Sequence, residues 1–446
     1  VCAVPCEADA DAAGEPLAEP AVDAERDAVR AELRAGARGS RVAGPEVDVA
    51  ADPEAEAPRT LRIRTAVADT VRCCALRTIP RLARNGPAFF RSPQSMNPIC
   101  DSGMARGKVL LTGASGHLGA NLLHRLVQDG EDVRVLLRPG SNNSAVDGLS
   151  VDRIYGDLRD PRAVDEAVKG CVRIYHTAAK VSTIYGNAAH KREIYDSNVV
   201  GTRNLLAAAL QHGVSRVVVT GSFSAIGYDH DNPSHPANED MRLYPFERTM
   251  PYEVSKTFVE LESLAAVSRG LDVSIATSCA ILGPHDYKPS RMGRALCDYA
   301  NGKLRAYIDG GFEFVSARDL VEGHILTMQR GRKGERYIFS TEYKSLPDMM
   351  QIWERITGRP GPRLKVPAPL MEAIAEVVSP VLSYLAPDFP QRLTPSAVRL
   401  LRLGRHADIT KAKTELGYTP TTVEEACREA YQFFARRGAI HSPVQA

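Results

Sequence analysis

Lysine is absent before Lys108 and then occurs twelve times. The nine cysteines include no C-x-x-C pair. That spacing excludes a cysteine zinc site and a disulfide framework, and a reduced, cytoplasmic setting is expected. No apolar run approaches the roughly 18 residues that a membrane helix needs, so no membrane span is expected. Net charge is also nearly lacking, at +2 over 446 residues. Nothing in that balance calls for nucleic acid as a partner. No internal repeat is present, which sets aside solenoids and propellers. His230 and His235 stand five apart in DHDNPSH. They read as a solvated loop rather than a ligand pair, and no metal is expected.

The lysine-free stretch differs in what it holds as well. Seventeen of its first 60 residues are alanine, mixed with Asp, Glu, Arg, Pro and Gly. Such a composition offers little to bury, so residues 1–103 are expected to be a disordered or leader segment. Within it, Ala24–Ala37 has the pattern of a short helix, and Leu61–Leu82 is Arg-rich and weakly amphipathic. The acidic opening, with Glu7, Asp9, Asp11 and Glu15, argues against a transit peptide. The working domain is expected to open near Met96 or Met104.

From Lys108 the pattern alternates. Short apolar runs at Lys108–Leu111, Asp132–Leu137, Arg153–Tyr155, Val172–Tyr175, Arg216–Thr220 and Val273–Thr277 read as strands. Helical spacing separates several of them, over about 161–168, 188–211 and 250–268. Such alternation predicts an α/β fold, a Rossmann-type doubly wound parallel sheet covered on both faces. After Gly283 prolines punctuate shorter helices. The expectation is a dinucleotide-binding domain over 104–283 and a smaller, mostly helical C-terminal substrate lobe over 284–446. About 305–330 is expected to return to the first domain. Ala368–Leu385 is apolar but carries Glu372, Glu376 and Pro380. It reads as a packed helix or an oligomer contact, which leaves a homodimer open.

Two stretches carry chemistry. Thr112–Gly119 reads TGASGHLG, between a strand and a helix. Gly113 allows a tight turn, Gly116 lacks the Cβ that would block a pyrophosphate, and Gly119 lets the helix pack on its strand. The helix N-terminus offers N–H groups and roughly half a positive charge to phosphates. Ser115, His117 and Leu118 fill the same turn. The second stretch is Tyr252-Glu-Val-Ser-Lys256. Tyr and Lys at i and i+4 share a helical face. An ammonium beside a phenol favours the phenolate, so Tyr252 is expected to exchange a proton with a substrate oxygen. Ser222, at the end of a strand, has a hydroxyl to hold that oxygen.

From Met104 to about Arg437 the chain resembles the extended short-chain dehydrogenases/reductases, of the NAD-dependent epimerase/dehydratase group. Gly113, Gly116 and Gly119 match the family's glycine motif, and Gly156-Asp157-Leu158 the segment whose aspartate binds adenine. His176-Thr177-Ala178-Ala179 matches the segment that lines the cofactor, and Asn198–Asn204 the central helix. Ser222, Tyr252 and Lys256 match the catalytic serine, tyrosine and lysine, and Gly283-Pro284 and Arg318-Asp319 match later motifs. The resemblance implies that Lys256 also holds the nicotinamide ribose. It implies cofactor contacts at Gly113, Ser115, Gly116, His117, Leu118, Gly119, Asp157, Leu158, Thr177, Ala178, Ala179, Asn198, Tyr252 and Lys256.

The strand ending Leu136-Leu137-Arg138-Pro139 places an arginine where an acidic residue would bind a ribose 2′-hydroxyl. Arg138 therefore favours NADP(H) over NAD(H), unless it is an ordinary solvated arginine. VRVLLRPGS resembles dihydroflavonol-4-reductase-like enzymes. The stretches from Gly283 to Ser290 and Gly302 to Asp309 resemble a branch that includes hopanoid-associated sugar epimerases. Phe-Ser-Ala follows Ser222, in place of the Asp-Glu pair of sugar-nucleotide dehydratases, so dehydration is not expected. The expected activity is hydride transfer between NADP(H) and a carbonyl or secondary alcohol of a small, partly apolar molecule. The alternatives are a nucleotide-sugar epimerase and a cofactor-sensing regulator.

Overall fold

A computed structural model of the chain describes residues 107–441, apart from 183, 185, 230, 233, 244–249 and 386–393. The expected leader and His230 lie outside the described residues.

The first half alternates as its sequence does. Strand β1 (Lys108–Thr112) leads through the glycine turn into helix α1 (His117–Gln128). Then come β2 (Val133–Leu137), β3 (Asp152–Tyr155), α2 (Pro161–Val168) and β4 (Cys171–His176). Helix α2 starts where its sequence dictates. Asp160 accepts the Arg162 N–H as N-cap, and Pro161 takes the first turn, where its missing N–H costs nothing. The long helix expected over 188–211 is interrupted. Helix α3 (Ala188–Tyr195) passes through a π turn (Asp196–Val200) into α4 (Gly201–Gln211). Strand β5 (Arg216–Ser222), helix α5 (Pro251–Ser268), β6 (Val273–Ser278) and β7 (Ala280–Leu282) follow.

Seven strands form one parallel sheet, in the order β10-β6-β5-β4-β1-β2-β3. Its seventh member, β10 (Arg336–Phe339), pairs with β6 in parallel. Helix α7 (Ala317–Arg330) leads the chain into β10. Strands alternate their side chains between two cores. Val109, Leu111, Val133, Val135 and Tyr337 face α1 and α7, whereas Leu110, Leu136, Ile174 and Val217 face α2, α4 and α5. A near-continuous apolar strand is what a sheet covered on both faces requires.

The smaller lobe holds α6 (Arg291–Ala300), α8 (Leu346–Thr357), α9 (Ala368–Leu385), α10 (Pro395–Leu403) and α11 (Val423–Arg436). Two small sheets accompany these helices. One joins β7, β9 (Gly311–Ser316) and β11 (Glu342–Ser345); the other pairs β8 (Ala306–Ile308) with β12 (Leu364–Val366). Among the described residues, no helix is long and apolar enough to cross a membrane.

Candidate active site

The order of the sheet reverses between β1 and β4, and the glycine turn lies at that switch point, where open α/β sheets bind ligands. Gly113 has φ +80°, and a Cβ there would lie 2.6 Å from the Ala178 nitrogen beyond β4. A Cβ on Gly119 would lie 2.0 Å from the Gly113 carbonyl oxygen. These two glycines are required by the packing of the chain on itself. Gly116 is different: it is exposed, and a Cβ there would meet only Gly113 O, at 3.3 Å. No side chain caps α1 at Gly116, so its first N–H groups are left for another partner. Open space above uncapped helix N–H groups fits a dinucleotide pyrophosphate. Ser115 is half-buried beside it, and Leu118 is packed into the core. His117 turns its ring inward, toward the backbone of Gly283 and Pro284. Its burial holds the imidazole below its usual range, against the opposing charge of Asp286. Asn121 ties the same loop down, donating to the Pro284 carbonyl at 2.8 Å.

Arg138 is exposed at the end of β2. Its charge reaches Asp157 and Lys288. The Asp157 carboxylate is held by the Arg159 side chain at 2.9 and 2.8 Å, which keeps it below the usual carboxylate range. Sequence reasoning missed Arg159, because an arginine two residues on reads as solvent-facing. Leu158 packs against the second core and its carbonyl accepts from Asn204 at 3.0 Å. Thr177 holds the end of β4 against β1, giving both its N–H and its hydroxyl to Thr112 O at 3.2 and 2.8 Å. Ala178 abuts Gly113, and Ala179 is exposed.

Asn198 is placed differently from the expected cofactor contact. It is 1% exposed, on the π turn. Its amide accepts from Lys180 N at 2.7 Å, and donates to Lys180 O at 3.1 Å and Ser255 Oγ at 2.9 Å. With three of its four bonds made inside the chain, it braces the segment after β4 against α5 from beneath.

Ser222, Tyr252 and Lys256 come together at the C-terminal ends of the strands. Ser222 closes β5, and its hydroxyl lies 2.9 Å from that of Ser224. The Tyr252 hydroxyl is hydrogen-bonded to Ser222. Burial pushes this phenol up to about 12, against the lowering effect of the Ser222 bond. The expected phenolate is thus not what the chain alone produces. Lys256 does not point its charge at the phenol: its Nζ donates to the Thr220 carbonyl at 2.8 Å. Burial pushes Lys256 down to about 8, and Glu260 opposes that shift.

Two buried histidines lie near these groups: His176, from the segment expected to line the cofactor, and His324, which sequence reasoning missed. Thr202 donates its hydroxyl to Asn198 O at 2.6 Å, so it accepts from His176 Nε2 at 2.9 Å. His176 Nδ1 then accepts from Thr112 Oγ1 at 2.7 Å. His324 donates through Nδ1 to Leu320 O and accepts from the Thr220 hydroxyl, both at 2.8 Å. Burial, with the Lys256 charge nearby, pushes His176 down to about 3 and His324 to about 4. Both are neutral. Among the described residues no cluster of His, Cys, Asp or Glu is arranged to hold a metal ion.

The fold and this arrangement define a nucleotide-dependent oxidoreductase class, and the chain's relatives agree. Residues 109–339 match the NAD dependent epimerase/dehydratase family, and the chain belongs to that family. Sterol demethylase protein B of Methylococcus capsulatus is 42% identical over 331 residues, 74% of this chain and 99% of that protein. The 3beta-hydroxysteroid-dehydrogenase/decarboxylase isoform 2 of Arabidopsis thaliana is 29% identical over 328 residues, 68% of this chain and 56% of that protein. The crystal structure of gox2253 superposes with a TM-score of 0.66 at 30% identity, over 75% of this chain and 100% of that one. The chain is an enzyme of an NAD-using family whose members include epimerases, dehydrogenases and reductases.

Proposed function

We propose that the protein moves hydride between NADP(H) and an oxygen-bearing carbon of a small apolar molecule of the sterol class, with Tyr252 as general acid and base. One observation carries the reading. The Ser222 and Tyr252 hydroxyls are hydrogen-bonded, and the buried Lys256, one turn on from Tyr252, donates to Thr220 of β5, on a sheet whose switch point carries an open glycine cradle. Gly113, Gly116 and Gly119 with the start of α1 would hold the pyrophosphate, Arg138 a 2′-phosphate, and Lys256 the nicotinamide ribose. When bound, the cofactor supplies or accepts the hydride. Ser222 holds the substrate oxygen. Tyr252, protonated at neutral pH by its burial, donates its proton to that oxygen as charge gathers there. In the opposite direction the same hydroxyl takes the proton back. The sterol class rests on the likeness to sterol demethylase protein B over nearly its whole length.

The test joins a cofactor titration to a turnover assay with sterol alcohols, their ketones and UDP-glucose. Sterol-dependent change in NADPH or NADP absorbance is expected. Conversion of the nucleotide sugar without net cofactor change would replace this reading by epimerisation. Tyr252→Phe removes one oxygen far from the phosphate cradle. Turnover should fall about a hundredfold or more, with NADPH affinity near that of the parent. Parental turnover in Tyr252→Phe would mean that another group is the acid.

A further inference from the structure

Glu260 lies one helical turn past Lys256 on α5 and is 2% exposed. Its Oε2 accepts from Arg336 Nη1 at 2.9 Å. That guanidinium is fixed by two further bonds, to the Glu239 carbonyl at 2.9 Å and the Met241 carbonyl at 2.6 Å. The other oxygen, Oε1, is buried without a hydrogen-bond partner among the described residues. A buried carboxylate oxygen left unpaired is costly, and Arg336 alone does not account for it. Residues i and i+4 share a helix face, and on this face the neighbour is a buried ammonium.

The groups around that ammonium leave it little other support. From β4 comes His176 and from α7 comes His324, both neutral and both held by threonine hydroxyls. From β5 comes the uncharged Thr220 carbonyl, which accepts from Nζ at 2.8 Å, and from α5 itself comes Glu260. Arg336, on β10, stands behind Glu260. Among the described residues Glu260 is therefore the carboxylate whose charge reaches Lys256, and Arg336 anchors its other side.

We propose that Glu260 is a positioning residue for hydride transfer: anchored by Arg336, its buried carboxylate keeps Lys256 charged at the end of β5. The proposal rests on the reading of Lys256 as the residue that holds the nicotinamide ribose and serves the phenol. An opposite charge nearby favours the charged lysine, so its removal must let the proton leave at lower pH.

The test is Glu260→Gln, which keeps the shape and an acceptor for Arg336 but loses the charge. The Lys256 titration is followed in the cofactor-free protein by NMR of carbon-13-labelled lysine, assigned with Lys256→Met. NADPH affinity is measured over the same pH range. The lysine midpoint should fall by about one pH unit or more, and NADPH affinity near pH 8 should fall about fivefold or more while changing little near pH 6. Glu260→Asp keeps the charge but draws it back by one methylene, so its midpoint should lie between the two. If Glu260→Gln does not fold, a fall in the Glu260→Asp midpoint supports the proposal and an unchanged one overturns it. An unchanged midpoint in Glu260→Gln likewise overturns it. A midpoint that falls while the pH profile of NADPH binding stays parental overturns the ribose-holding role of Lys256, and with it the positioning role of Glu260 in the reaction.

Discussion

A Cβ added at Gly119 would meet the Gly113 carbonyl oxygen at 2.0 Å, one added at Gly116 the same oxygen at 3.3 Å. Real Cβ atoms do not approach to the first distance without a shift of backbone, whereas the second needs a few tenths of an ångström. Gly116→Ala should therefore fold with a melting temperature near the parent's and lose dinucleotide binding. Gly119→Ala should lose both. Dinucleotide titration and thermal unfolding on the same two proteins check this; full binding by Gly116→Ala would remove the pyrophosphate from that spot. Arg138 makes a separate prediction. It is exposed, and among the described residues its guanidinium has no ion-pair partner. A charge-assisted contact to a 2′-phosphate is worth about 1.5–3 kcal/mol, so Arg138→Ala should weaken NADPH by roughly ten- to a hundredfold. NADH should bind as before, and equal losses for both cofactors would reject the assignment. At this scale the glycines and the Tyr252–Lys256 pair could be picked out from spacing within a few residues, and Ser222 from its place at a strand end. Glu260 and His324 could not, and neither could the partners of Asn198 and His176 inside the chain. A lone polar side chain in an apolar stretch has the same appearance whether it faces water or braces a site. Only tertiary packing brings Arg336 to Glu260, or Thr202 to His176.

At the scale of elements, apolar runs located the six strands from β1 to β6, since a strand covered on both faces has little room for polar residues. The break in the long helix left no such trace. Its π turn adds a residue without changing the apolar spacing much, and what it achieves is local. It turns Asn198 inward so that one amide reaches both Lys180 and Ser255. The strands of the smaller lobe were illegible for another reason. Strands β7, β8 and β12 have three residues each, too few to show any period. Helix α7 carries a consequence beyond its length. It returns the chain to the sheet and delivers His324 under Thr220, fully buried and held to about 4.

For the molecule as a whole, such a histidine ties stability to acidity. An unfolded histidine takes its proton near 6.5, while folded His324 resists it until about 4. Its folded value is depressed, so between those limits only the unfolded chain binds the proton, and stability falls as the pH drops. The slope is about 1.4 kcal/mol per pH unit for one such group. Buried carboxylates held above their usual range, Glu239, Glu253 and Glu313, act in the opposite direction. The comparison of slopes between variants separates the two. His324→Gln should show an acid dependence shallower than the parent's by about that amount between about pH 6 and pH 4.5. Equal slopes in chemical unfolding would show that His324 is already protonated in the folded chain.

The sheet also has a history, written in the place of β10. Its partner β6 ends at Ser278, but β10 does not begin until Arg336, and the chain between them includes β8 and β9 of the smaller lobe. A nascent chain leaving the ribosome therefore exposes the outer edge of β6, with its row of unpaired backbone groups, while that intervening stretch is still being made. An open edge of this kind is a template for pairing with other chains. The glycine cradle is synthesised early, but the sheet that supports it is sealed late. Chaperone contact during synthesis would fall on that interval, and release would wait for Phe339.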